Sequence, residues 1–147
     1  MSNTYSRSAI SFLLSFWCIY EVGYIENDRV AERFEKSPVL SETYSLYRKE
    51  IKLGQPWIWA GIFAIPGLIL LNYSDDCLLS LDLPSPLFSG VINITLWFGF
   101  LLLVRTSYWM YNHIDKQTRV GLYLILQIYK TFGFLLITTT NLVGIVL

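Results

Sequence analysis

Four runs nearly free of charge divide this chain and constrain its fold more than any other feature. They cover residues 9–25, 57–73, 86–104 and 120–147, and the only charged residues inside them are Glu21 and Lys130. A helix needs about 20 apolar residues to cross a hydrocarbon core roughly 30 Å thick, because lipid offers no partner to a free peptide group. Each run approaches that length. Charged residues make up 15% of the chain, against about 25% in soluble domains. The sequence therefore predicts an all-α, polytopic membrane protein of about four transmembrane helices in a bundle, one domain over residues 1–147. Pro66-Gly67 inside the second run predicts a kink that neighbouring helices must support. Arg7 ahead of a short apolar core also fits a signal peptide, but no small-x-small cleavage site follows.

Basic residues set the expected orientation. Arg29, Arg33, Lys36, Arg48, Lys49 and Lys52 fall between the first two runs, and Arg105, Lys116 and Arg119 between the last two. The connection SDDCLLSLDLPSP between the second and third runs has none. The positive-inside rule then makes 26–55 and 105–119 cytoplasmic loops and puts both termini outside, in an integral membrane protein of the plasma (inner) membrane. Trp57, Trp59, Tyr108, Trp109 and Tyr111 lie at run ends, as interfacial anchors do. In the first loop Ser37-Pro38 ends a helix, and Ser41 ahead of Glu42, Tyr44, Leu46 and Tyr47 starts a second, amphipathic one along the membrane surface. The chain stops within an apolar run: either the fourth span ends at the outer surface or more sequence follows. With 11 basic and 11 acidic residues, nothing provides the basic footprint of a nucleic-acid binder. Cys18 and Cys77 are too few for a disulfide framework.

The densest ionisable cluster is EVGYIENDRVAERFEK, from Glu21 to Lys36. If the first helix continues past Ile25, Asp28, Glu32 and Glu35 share a face within roughly 60°, beside a stripe of Arg29, Arg33 and Lys36. Carboxylates crowded on one face are relieved either by a divalent cation or by nearby bases. One reading places Mg²⁺ on Asp28, Glu32 and Glu35, with Asn27, Arg29, Arg33 and Lys36 contacting a diphosphate. The other is a solvated helix laced by Glu and Arg at i,i+4 spacing. Glu21, inside a span, marks an ion path, a helix contact or an interfacial carboxyl, and extends the acidic stripe into the bilayer. Lys130 either snorkels to water or pairs with Glu21. His113 has no second ligand at metal spacing, and Arg105 and Arg119 serve as topology anchors or hold phosphate.

G-Y-I-x-N-D, followed by a carboxylate at Glu35 and then Lys36-Ser37-Pro38, resembles the first aspartate-rich motif of the UbiA-type intramembrane prenyltransferases, N-D-x-x-D-x-x-x-D. Asn27 and Asp28 match it, and Glu35 matches conservatively. Ala31 stands where the family carries its middle Asp. The resemblance implies Mg²⁺ and a prenyl diphosphate at the cytoplasmic surface, and covers about 20 residues. The family's second acidic motif has no counterpart here, since RTSYWMYNHIDKQTR contains only Asp115. Catalysis would need that motif from a second membrane subunit or from further sequence.

Three functions follow as expectations. The first is a relative of those prenyltransferases, or half of one, with a cytoplasm-facing acidic site for Mg²⁺ and an isoprenoid or lipid diphosphate. The second is a non-enzymatic membrane subunit docking a partner through its charged loop. The third is a small ion-conducting homo-oligomer with Glu21 on the path. All three keep membrane lipids as partners and exclude nucleic acid.

Overall fold

A computed structural model describes residues 2–50, 52–73, 86–114 and 119–133. The elements are α1 (Ser2–Phe34), α2 (Glu42–Tyr47), α3 (Gln55–Tyr73), α4 (Pro86–His113) and α5 (Arg119–Ile128), the last running into a π-helical turn, Tyr129–Gly133. Among the described residues there is no strand, so the expected all-α class holds. Two helices, α1 and α4, are long and apolar enough to cross a membrane, over Arg7–Phe34 and Phe88–His113. The second expected span is the shorter apolar helix α3, and the fourth lies partly outside the described residues.

At 1.5 Å per residue, the 33 residues of α1 extend about 50 Å, well beyond a hydrocarbon core of roughly 30 Å. The residues after Ile25 therefore project from the apolar part as one continuous rod. The 28 residues of α4 likewise carry Arg105 to His113 past the expected end of the third run.

Small side chains let α1 and α3 approach closely. Ser8, Ser11 and Ser15 of α1 and Ala60, Ala64 and Gly67 of α3 are all buried, the small-residue contact typical of helices packed in lipid. Ser11 donates to the Phe63 carbonyl, and its oxygen accepts from the Gly67 N–H at 3.0 Å. Those two backbone groups lie on either side of Pro66, which has no N–H to give the helix; α3 runs on as one helix through Pro66, held there by a hydroxyl of α1. Ser15 donates to the Ala60 carbonyl at 2.7 Å and accepts from Trp97 Nε1 at 3.0 Å, tying α4 in as well.

The α1–α4 contact is aromatic. Phe12, Phe16, Tyr20 and Tyr24 recur every fourth residue, and Phe12 meets Trp97 at 4.4 Å, Phe16 meets Phe100 at 5.9 Å and Tyr20 meets Tyr108 at 4.9 Å between ring centroids. Rising numbers on α1 meet rising numbers on α4, so these helices run parallel, while α3 runs antiparallel to α1. Phe100 packs on Tyr129 at 5.7 Å and its ring lies against Gly133, so α5 returns antiparallel to α4. The charged connections α1–α3 and α4–α5 thus lie at one end. Outward, Leu14, Trp17, Ile62, Ile65, Leu102 and Leu103 are all exposed, far more apolar surface than singly scattered side chains on a water-soluble monomer.

Candidate functional site

At the charged end, α1 stops at Phe34, before the segment leading to Pro38, whose predecessor is kept out of helical geometry. Glu35 thus lies beyond the helix and is exposed, and the expected single face of Asp28, Glu32 and Glu35 is reduced to the first two. The chain then folds back so that α2 lies against the projecting rod. Asp28, buried, accepts from both the backbone N–H and the hydroxyl of Ser41. Ser41 is also the N-cap of α2, accepting from the Tyr44 N–H, as a serine at that position does. Glu32 accepts from the Tyr44 hydroxyl at 2.8 Å and pairs with Arg48.

These contacts set the electrostatics. The Tyr44 hydroxyl and then the Arg48 charge hold the Glu32 carboxyl below its ordinary value. Burial, followed by the hydrogen bond to Glu32, pushes the Tyr44 phenol up. Both acids of the presumed cation face are thereby engaged by their own loop. Among the described residues no group of three or more His, Cys, Asp and Glu side chains is placed to hold a metal ion. The residues as arranged do not fit a three-carboxylate Mg²⁺ site. Arg33 and Lys36 are exposed and Arg29 half-buried, its charge adding to the field on Glu32.

The strongest polar contact at this end was not foreseen. Glu26 and Arg105 form a two-pronged ion pair, Arg105 Nη2 to Glu26 Oε1 at 2.8 Å, with side chains 13% and 21% exposed. Asn112, buried, donates to the Gly23 carbonyl at 3.3 Å. The expected local Glu–Arg ladder is therefore replaced by pairs between distant elements, Glu26 with α4 and Glu32 with the residue after α2. Only the charge types were visible in sequence, because partners 79 residues apart leave no periodic signal. Arg105 is spent on Glu26, and Arg119 donates to the Ile114 carbonyl at 3.1 Å while lying over the Tyr111 ring at 5.5 Å. That is how an arginine closes a helix C-terminus. His113 stacks on Trp109 at 4.9 Å and is exposed. Lys116, Asp115 and Cys77 lie outside the described residues.

Asn27 faces elsewhere. With Tyr20, Tyr24, Tyr108, Tyr111 and Tyr123 it lines a cavity of about 90 Å³ between α1, α4 and α5. Lys130, in the π-helical turn, places its Nζ 5.6 Å from the Trp17 ring centroid and 5.8 Å from that of Tyr20, so the cation rests on aromatic faces. The anticipated Lys130–Glu21 pair is not formed. Glu21, one residue on from Tyr20 and hence about 100° around the helix, points toward the start of α3 beside Pro56 and Trp59. No protein-family model, no curated protein and no solved structure matches this chain.

Proposed function

We propose that the chain crosses the bilayer four times with its charged end inward, and acts as a non-catalytic membrane subunit that docks a partner protein through the folded α1–α2 loop. One observation carries this reading: Asp28 and Glu32 are consumed in holding that loop against α1. The loop thereby becomes a fixed surface, and Phe34, Val39, Leu46 and Tyr47 stay exposed on it, Val39 by 92%. Apolar groups held rigidly outward at the aqueous end are what a docking face requires. Photo-crosslinkers placed at Leu46 and, as a bilayer control, at Ile69 test it in native membranes. A discrete protein adduct is expected from position 46 only, abolished by Val39→Lys. Lipid adducts alone at position 46 would reject the docking face.

A second reading, binding of a prenyl or lipid diphosphate, is favoured by Asn27, which lines the tyrosine cavity one residue before Asp28. Tyrosine hydroxyls and an amide are apt donors for phosphate oxygens. Calorimetry with farnesyl diphosphate, with and without Mg²⁺, separates the readings. Binding weakened by Asn27→Leu supports the second, and no heat under either condition dismisses it.

A further inference from the structure

Two charges inside the expected spans lack a counterpart in the folded chain. Glu21 is exposed on α1, and Lys130 rests over the rings of Trp17 and Tyr20 without an anion. Among the described residues neither forms an ion pair or a hydrogen bond. Ionised side chains held inside a bilayer are expensive unless they meet each other or water. The two lie close to level, since Glu21 follows Tyr20, whose ring Lys130 covers, by one helical rise of about 1.5 Å. They also share a flank. At about 100° per residue, Trp17 stands about 60° and Glu21 about 100° around α1 from Tyr20 in the same sense, so Trp17 separates the carboxylate from the ammonium. Ile10, Leu14, Trp17, Glu21 and Tyr24 recur in alternating steps of four and three and are all exposed. That is the spacing of a helix-packing seam, and the described helices leave it uncovered.

We infer that this flank is the interface of a symmetric dimer, in which Glu21 of each copy pairs with Lys130 of the other. Copies inserted with the same sidedness are related by a two-fold axis along the bilayer normal, which leaves the depth of every residue unchanged. Only groups already at one level can then pair, and Glu21 and Lys130 meet that condition. The axis passes beside Trp17, between α1 and the π-helical turn, so the seam of each α1 lies on the turn of the other copy. One contact made twice satisfies all four charges, whereas acyl chains satisfy none of them. A helix of another protein would have to bring an acid and a base to the same level and spacing; a second copy carries both by symmetry. The inference rests on the membrane placement proposed above and is independent of the docking face.

Two differently tagged copies of the full chain, co-expressed and extracted in mild detergent, test it by affinity capture of one and quantitation of the other. Wild-type copies should be recovered together. Glu21→Lys in both copies, or Lys130→Glu in both, sets like charges across the interface and should lower recovery about tenfold, the worth of a hydrogen bond to a charged group. Glu21→Lys in one copy with Lys130→Glu in the other makes both contacts opposite in sign again and should restore it. A chain carrying both changes should associate with its own kind but not with the wild type. Equal capture of the wild type by that double variant would place the pair within one chain and overturn the assignment. So would failure of the mixed pair when both variants are present in the membrane, or capture of the wild type no better than of an unrelated membrane protein. Glu21→Gln and Lys130→Gln guard against a reversed charge that blocks insertion: each should weaken capture, and unchanged capture with both overturns the interface. Release of the chain from membranes by alkaline carbonate would instead refute the bilayer placement itself.

Discussion

The Ser11 hydroxyl shows how much can depend on one oxygen. It accepts from Gly67 N–H and donates to the Phe63 carbonyl at the point where Pro66 withholds a donor. Ser11→Ala leaves that amide facing an apolar contact, at a cost of about 1–2 kcal/mol. Chemical or thermal unfolding in detergent should register the loss, whereas Ser11→Thr, which keeps the hydroxyl, should recover most of it. Asn93 is the opposite case. It is buried in α4 and neither its amide nitrogen nor its oxygen has a partner. Asn93→Leu removes an unsatisfied group for similar volume and should stabilise the chain by about 1–3 kcal/mol. A lowered unfolding midpoint in that variant would mean the amide has a function worth its cost. The need for a neighbouring helix at Pro66-Gly67 was legible in sequence, since proline chemistry is local. The serine that meets it was not, because Ser11 and Ser15 in one apolar run look alike until an opposing backbone is placed against them.

At the level of the helices, the α1–α4 contact depends on how closely two backbones approach at Gly23. A β-carbon there would fall 2.2 Å from Tyr108 Cγ, the ring atom nearest the backbone, so turning the ring about its own axis does not clear it and the whole side chain or the helix must move. Gly23→Ala should push the helices apart, costing about 1–3 kcal/mol as overpacking does and straining the Glu26–Arg105 pair one turn further on. That pair is mostly buried, so removing one partner strands the other. Glu26→Gln should destabilise by about 3–5 kcal/mol, and the double change Glu26→Met with Arg105→Met should recover much of the loss. Additive losses in a double-mutant cycle would show that the pair is not coupled. The helices α1 and α4 were legible as long enough to span a membrane because an apolar run is a one-dimensional signal. Their projection past the runs was partly so: the sequence suggested that α1 continues beyond Ile25 and ends near Ser37-Pro38, as it does at Phe34, but not the fold-back of α2 or the capture of Asp28 by Ser41.

For the molecule as a whole, the decisive arrangement is that α1 ends, α3 begins, α4 ends and α5 begins at one end, gathering the described loop cations there. Helices that hairpin in this order can satisfy the positive-inside rule at every connection simultaneously. A random assignment of charges would put some between α3 and α4, where the sequence SDDCLLSLDLPSP carries only acids. The sequence alone made this sidedness readable, while leaving the contents of the charged end open. Its acids looked like a cation site by spacing, and only the tertiary fold shows Ser41, Tyr44, Arg48 and Arg105 claiming them. The four-span placement has a direct check in the chain's own thiols. Cys77 falls in the acidic connection, so on a Cys18→Ser background a membrane-impermeant maleimide applied to intact cells should label it. With Leu46→Cys added and Cys77 also replaced by Ser, labelling should appear only after the membrane is opened. Labelling of position 46 from outside would invert the molecule and place the proposed docking face away from the cytoplasm. Labelling at both positions in intact cells would mean that α3, whose 19 residues reach about 28 Å, does not cross the bilayer at all.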